Sequence, residues 1–146
     1  MPSPIRGRCL CGAVRIALEP PTLFASHCHC ESCRRAHAAA FVTWTGVPDA
    51  RFEVVQGEAG ITRFPSSPGA FRCFCSACGT VMFTYYEPTH ADFGDAAGST
   101  YVPVAVLDDP LDRVPDSHVS FDEAVAWFPF EDDLPRHRAK SDEAVV

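Results

Sequence analysis

The chain reads as one mainly β domain, and three observations lead to that class. Its 146 residues include thirteen prolines and nine glycines, with 11% aromatics, which suits short strands and many turns rather than long helices. Short apolar runs recur between those turn signals, several of them alternating with polar residues as half-buried strands do. Seven of the eight cysteines fall into three tight clusters, Cys9-x-Cys11, Cys28-His29-Cys30-x-x-Cys33 and Cys75-x-x-Cys78, spacings that belong to metal-binding turns.

The elements follow in order. Gly7 to Leu18 is a strand pattern entered through a cysteine-bearing turn, with Val14, Ile16 and Leu18 alternating and Gly12 easing the backbone. Pro20-Pro21 ends it. Leu23 to His29 predicts a second strand that delivers the middle cluster, and Glu31 to Ala39 favours a helical turn. Phe41 to Thr45, Phe52 to Gln56 and Ile61 to Phe64 read as strands, separated by turn signals at 46–49 and at Gly57. Ser66-Ser67-Pro68-Gly69 reads as a loop. Phe71 to Cys75 leads into the Cys75-x-x-Cys78-Gly79 knuckle, and Val81 to Tyr86 leaves it, the layout of a zinc-ribbon knuckle. His90 to Thr100 is a polar connection. Tyr101 to Leu107 is a further strand that Pro103 assigns to a sheet edge. The charged stretch from Glu131 to Val146 is expected to fray.

Composition excludes some functions. With 12 basic and 19 acidic residues the formal charge is −7, so a general affinity for nucleic acid is not expected. Nothing approaches the roughly 18 apolar residues that span a bilayer. Residues 1–14 carry Arg6, Arg8 and two cysteines where a secretory leader would be apolar, so the expected compartment is the cytoplasm. Thiols stay reduced there, and clustered cysteines read as metal ligands rather than disulfides.

The clusters divide unevenly. A pair plus a pair, Cys9, Cys11, Cys75 and Cys78, gives a closed four-thiolate zinc site whose role is structural. Cys28, Cys30 and Cys33 leave a zinc with an open position, the arrangement of zinc that does chemistry. Residues 28 and 30 share one side of an extended segment, and a helical turn brings residue 33 back. The fourth position suits water or a substrate thiol. Cys73, His27 or His29 could instead close the site, although His29 faces the opposite side of the strand and suits a hydrogen-bonding neighbour. Arg34 and Arg35 read either as solvated charge or as a partner for thiolates or a substrate carboxylate. Residue type favours core packing for His118 and Trp127, while His37, His90 and His137 have no partner that the sequence reveals.

Gly7-x-Cys9-x-Cys11-Gly12, then Cys28-His29-Cys30-x-x-Cys33-Arg34, then Arg72-x-Phe74-Cys75-x-x-Cys78-Gly79, closely resemble the glutathione-dependent formaldehyde-activating enzyme family. Phe41-Val42-x-Trp44, Ser66-Ser67-Pro68-Gly69, His118, Trp127 and Asp133-Leu134-Pro135 fit the same pattern, and the likeness spans residues 5–136. The resemblance implies a β-tent fold of antiparallel sheets over 5–136, with a tail at 137–146. It implies a structural zinc on Cys9, Cys11, Cys75 and Cys78 and a working zinc on Cys28, Cys30 and Cys33. It also implies the S-(hydroxymethyl)glutathione synthase reaction, glutathione adding to formaldehyde, whose reverse is a carbon–sulfur lyase step. Two departures stand out: Cys73, where no ligand is expected, and Ala36-His37-Ala38, where relatives carry a small polar step.

Two functions follow as expectations. One is a zinc-dependent carbon–sulfur lyase on a thiol–aldehyde adduct, with Arg34 binding the thiol substrate and no catalytic side chain beyond the metal ligands. The other is a non-catalytic, zinc-stabilised protein-binding domain with two closed sites. Neither calls for nucleic acid or a membrane.

Overall fold

The computed structural model describes residues 2–89 and 91–139, and it is mainly β, as predicted. The chain forms two compact units, the first made of the segments up to Leu23 and Thr45–Asp112, the second of Phe24–Trp44 and the segment from Arg113 onward. No helix among the described residues is long and apolar enough to cross a membrane.

In the first unit β1 (Ile5–Arg8), β2 (Arg15–Leu18) and β5 (Phe52–Gln56) form a three-stranded antiparallel sheet, with Ile5 opposite Leu18 and Leu18 opposite Phe52. Ile16 and Leu18 are buried while Arg15 faces water, the period-2 pattern read in the sequence. β1 is a strand the sequence does not announce: IRGR has one apolar side chain, and its inward places are Ile5 and a glycine. The remaining strands are β6 (Ile61–Ser67), β7 (Ala70–Cys75), β8 (Val81–Tyr86) and β9 (Ser99–Pro103). They form an antiparallel ladder ordered β9–β8–β7–β6, and the last residues of β4 (Val42–Pro48) follow β9. Ile16, Leu18, Val47, Met82, Phe83 and Val102 pack with Cys9, Cys73 and Cys75 in one core. Each of the aliphatic and aromatic side chains among them contributes about 1.5–3 kcal/mol by leaving water.

Three local expectations are corrected. β9 lies between β4 and β8 in the sheet order rather than at an edge. Pro103 is its last residue, and a turn of 3-10 helix (Val104–Val106) starts immediately after, so the missing N–H falls where the ladder ends. β4 runs through Gly46-Val47-Pro48, because Val47 is fully buried and the Gly46 carbonyl accepts the Leu23 amide at 2.8 Å. Ser66 and Ser67 belong to β6, leaving Pro68-Gly69 as a tight turn with Gly69 at φ 78°. Pro65 in β6 is tolerated because β6 ends the sheet order and bulges there.

In the second unit β3 (Ala25–Cys28) pairs in parallel with β10 (His118–Val119), His118 opposite His27 and Val119 opposite Cys28. The helix α1 (Glu31–His37) follows. Its N-cap is Cys30, whose sulfur accepts the Cys33 amide at 3.3 Å. Glu31 in the first turn and Arg34, Arg35 and His37 in the last complement the helix dipole, and Ala38 at φ 50° ends the helix. Aromatic rings fill this unit: His29 lies 4.8 Å from Phe130, 5.0 Å from Phe121 and 5.4 Å from Phe41. Of the tail expected at 137–146, residues 140–146 lie outside the described residues. The His137 amide donates to the His118 carbonyl, and the Ala139 amide to Asp122, both at 2.8 Å.

Candidate metal centres

Two back-to-back turn motifs build the first centre. Cys9 and Cys11 sit in the turn between β1 and β2, where the Gly12 amide returns to the Cys9 carbonyl (3.0 Å) with Gly12 at φ 77°. Cys75 ends β7, and Cys78 lies in the turn before β8, where the Gly79 amide returns to the Cys75 carbonyl (2.8 Å) with Gly79 at φ 79°. Both glycines supply the positive φ that a side chain would resist. The Sγ atoms of the four cysteines lie within 4.8 Å of one another. Cys9 to Cys11 is 3.6 Å and Cys11 to Cys75 is 3.8 Å. Four sulfurs placed tetrahedrally about 2.3 Å from one ion stand about 3.8 Å apart, whereas a disulfide needs about 2.05 Å. The donor set fits zinc.

Polar hydrogens complete the environment. The Val14 amide donates to Cys9 Sγ at 3.3 Å. The Thr80 hydroxyl accepts the Leu10 amide (3.1 Å) and lies 3.2 Å from Cys78 Sγ, to which its own hydrogen is left to donate. That bond is the main cause holding the Cys78 thiol down at about 5. Thr80 was missed by sequence reasoning. It follows directly on Cys78-Gly79, and nothing but that position could have marked it.

The second centre is built from β3, its exit and α1. Cys28 ends the strand, Cys30 caps the helix and Cys33 lies in its first turn, so their sulfurs converge within 4.8 Å. Hydrogen bonds with Cys30 and Cys33, then burial, push the Cys28 thiol far above the ordinary thiol range. Three adjacent thiolates repel, and a dication is what lets all three ionise together. This donor set also fits zinc, with three ligands. No fourth His, Cys, Asp or Glu donor joins it among the described residues. Of the proposed fourth ligands, Cys73 is buried in the core of the first unit. His27 Nδ1 is 2.8 Å from Thr43 Oγ1, and His29 Nε2 is 2.8 Å from His118 Nδ1.

Around the trio, Arg34 Nε donates to the His29 carbonyl at 3.2 Å, which leaves its terminal nitrogens without a partner among the described residues. Arg35 instead pairs with Glu31 on the helix surface at 2.8 Å. Burial, then the proximity of His118, holds His29 down at about 4, so it is neutral near pH 7. His118 is buried as residue type suggested, but Trp127 is 72% exposed, which corrects its assignment to the core. His118 Nε2 meets Asp132 at 2.9 Å. Asp132 was also missed: an aspartate in an acidic Pro-rich stretch carries no periodic signal. His37 packs edge-on against Trp44, 5.3 Å between centroids, and His90 lies outside the described residues.

The fold and the two thiol sets define the class: a mainly β, cysteine-rich protein with one four-sulfur and one three-sulfur centre, each able to hold a metal ion. The chain belongs to the glutathione-dependent formaldehyde-activating enzyme family, which it matches over residues 4–123. It is similar to an uncharacterized lyase of Schizosaccharomyces pombe, 33% identical over 87 residues that cover 55% of this chain and 56% of that protein. The chain thus spans little more than half the length of that curated relative. A crystal structure of a Rhodobacter sphaeroides protein superposes with a TM-score of 0.57 at 25% identity, covering 75% of this chain and 97% of that one.

Proposed function

We propose that the chain is a zinc-dependent carbon–sulfur lyase of the S-(hydroxymethyl)glutathione synthase type, working in the cytoplasm on a thiol–aldehyde adduct through a domain spanning 5–136. In this reading Cys28, Cys30 and Cys33 hold the working ion and Cys9, Cys11, Cys75 and Cys78 a structural one. The observation that carries it is the convergence of three sulfurs with no fourth side-chain donor among the described residues. The family and the lyase name borne by the fission-yeast relative support the same reaction class.

Bound zinc supplies Lewis acidity that keeps a guest thiol ionised near neutral pH. The chain's own part is placement. The cap geometry of Cys30 and the first turn of α1 bring the three sulfurs together, and in this reading the fourth position is the guest's. Arg34, anchored through Nε, offers its terminal nitrogens to a carboxylate of a glutathione-like thiol. In the forward direction the thiol loses its proton, sulfur bonds to the aldehyde carbon, and the carbonyl oxygen gains a proton. The reverse breaks the same C–S bond. Thiols and formaldehyde combine unaided, so ionisation and positioning are all the acceleration needed.

Exchange NMR of glutathione and formaldehyde with the zinc-loaded protein tests this. The exchange should exceed the spontaneous rate and fall back to it in Cys33→Ser. No acceleration with glutathione or other thiols, in protein holding two zinc ions of equal affinity, would instead support the protein-binding reading.

A further inference from the structure

A buried hydrogen-bonded chain that the proposed chemistry does not use ends between two of the three working cysteines. His29 Nε2 lies 2.8 Å from His118 Nδ1, and His118 Nε2 lies 2.9 and 3.0 Å from the two Asp132 oxygens. His29 and His118 are 0% and 1% exposed, enclosed by Phe41, Phe121 and Phe130. The Asp132 carboxylate is 41% exposed. It is fixed in turn by the Leu134 amide, which donates to its Oδ1 at 3.0 Å.

Two neutral imidazoles facing each other can bond in either sense, since each has one donor and one acceptor nitrogen. A carboxylate only accepts, so it breaks the tie. When both rings are uncharged, Asp132 takes the Nε2 hydrogen of His118, His118 Nδ1 is then a bare acceptor, and His29 donates from Nε2. His29 Nδ1 is left as a lone pair, buried and without a hydrogen-bond partner among the described residues. The backbone of His29 is tied as well: its amide donates to the Val119 carbonyl at 3.0 Å, and its carbonyl accepts from Arg34. Every polar group of this residue except Nδ1 is therefore committed, and its chain neighbours on both sides are ligands.

We infer that Asp132 is a positioning residue for the three-cysteine centre: through His118 it fixes the tautomer and rotamer of His29, and so holds the Cys28–Cys30 segment where the sulfurs converge. This rests on the reading of that trio as the working site. Groups hydrogen-bonded directly to metal ligands typically change metal affinity by about 10–100-fold, and a partner acting through His118 and His29 belongs at the low end of that range.

Asp132→Asn separates positioning from simple turn support. It keeps Oδ1 for the Leu134 amide but turns the nearer of the two oxygens facing His118 Nε2 into an NH2 group, which weakens the acceptor that sets the tautomer, and the partial exposure of the site makes the variant a mild one. Long-range 1H–15N spectra of the zinc-loaded wild type at pH 8 should show His29 protonated on Nε2 and bare on Nδ1. Asp132→Asn should mix or reverse that pattern. Competition with a chromophoric chelator should show zinc bound at the three-cysteine centre about tenfold or more weakly, with the four-cysteine centre unchanged, and Asp132→Glu should recover part of the loss. Zinc affinity at the trio within twofold of wild type in Asp132→Asn, or an equal loss at both centres, overturns the inference. A wild type that loads two zinc ions yet leaves thiol–aldehyde exchange unaccelerated removes the lyase reading instead and leaves this affinity test intact.

Discussion

Cys73 shows how far a cysteine's role is set by its neighbours. It is one of eight and lies two residues from a proposed zinc ligand, yet it is fully buried among Ile16, Leu18 and Met82 in the core. Burial pushes its thiol up to about 12. It is a small apolar core residue in effect. Cys73→Ser should therefore leave two zinc ions bound per chain, and it should lower stability by about 1–3 kcal/mol, the cost of burying a hydroxyl with poor partners. Metal analysis and a denaturant titration check both parts. Arg34 is the opposite case, an arginine whose sequence context left surface charge and substrate binding equally open. Anchored on the His29 carbonyl, it has donors to spare. Arg34→Gln should raise KM for a carboxylate-bearing thiol about tenfold or more, while zinc content stays unchanged and a thiol lacking the carboxylate is little affected. The sequence raised both possibilities without deciding them: Cys73's burial is set by what it meets across the fold, and Arg34's free donors by how the chain turns after His29.

At the scale of elements, what was legible was what local chemistry decides. β5 and β8 occupy the spans their apolar runs predict, α1 begins at Glu31 behind its cysteine cap, and the two cysteine turns stand where Gly12 and Gly79 allow them. β1 and the two-residue β10 were not legible, since their strand character comes from pairing with β2 and β3 rather than from their own pattern. Gly57 belongs to the legible kind. It sits at φ 82°, and a Cβ there would stand 2.2 Å from the Ala13 carbonyl oxygen. Gly57→Ala should thus cost about 2 kcal/mol or more, through both backbone strain and displacement of the β1–β2 connection, seen as a lower denaturation midpoint. β1 is also tied by charge. Arg6 donates from its amide, Nε and Nη2 to Asp109 at 2.8–3.0 Å, and these bonds hold the Asp109 carboxyl down at about 2. A depressed carboxyl stabilises the fold above its unfolded value near 4, and that contribution fades as the pH falls from about 4 through about 2. The stability gap between the parent and Asp109→Asn should accordingly be largest at neutral pH and close over that window. With Arg6 72% exposed, it should also narrow in high salt.

For the molecule as a whole, the two centres should answer chelation differently. The four-cysteine set joins turns 64 residues apart in the chain, from Cys11 to Cys75. A shared ion there closes a long loop and contributes directly to folding of the first unit. The three-cysteine set spans six residues of continuous chain, all from the end of one strand and the first turn of the helix that follows it. An ion held there would close no long loop and, in the proposed reading, would keep a position free for exchange. A mild chelator should therefore take one zinc per chain, return thiol–aldehyde exchange to its spontaneous rate and leave the circular dichroism spectrum and Tm nearly unchanged. A strong chelator in excess should take the second and unfold the first unit. Cys75→Ser should imitate the second treatment and Cys33→Ser the first. If Cys33→Ser lowers Tm as much as Cys75→Ser does, both ions are structural, and the division of labour between a closed set and an open one is wrong. If the first zinc to leave instead collapses the fold while exchange stays above the spontaneous rate, the roles assigned to the two sets are reversed.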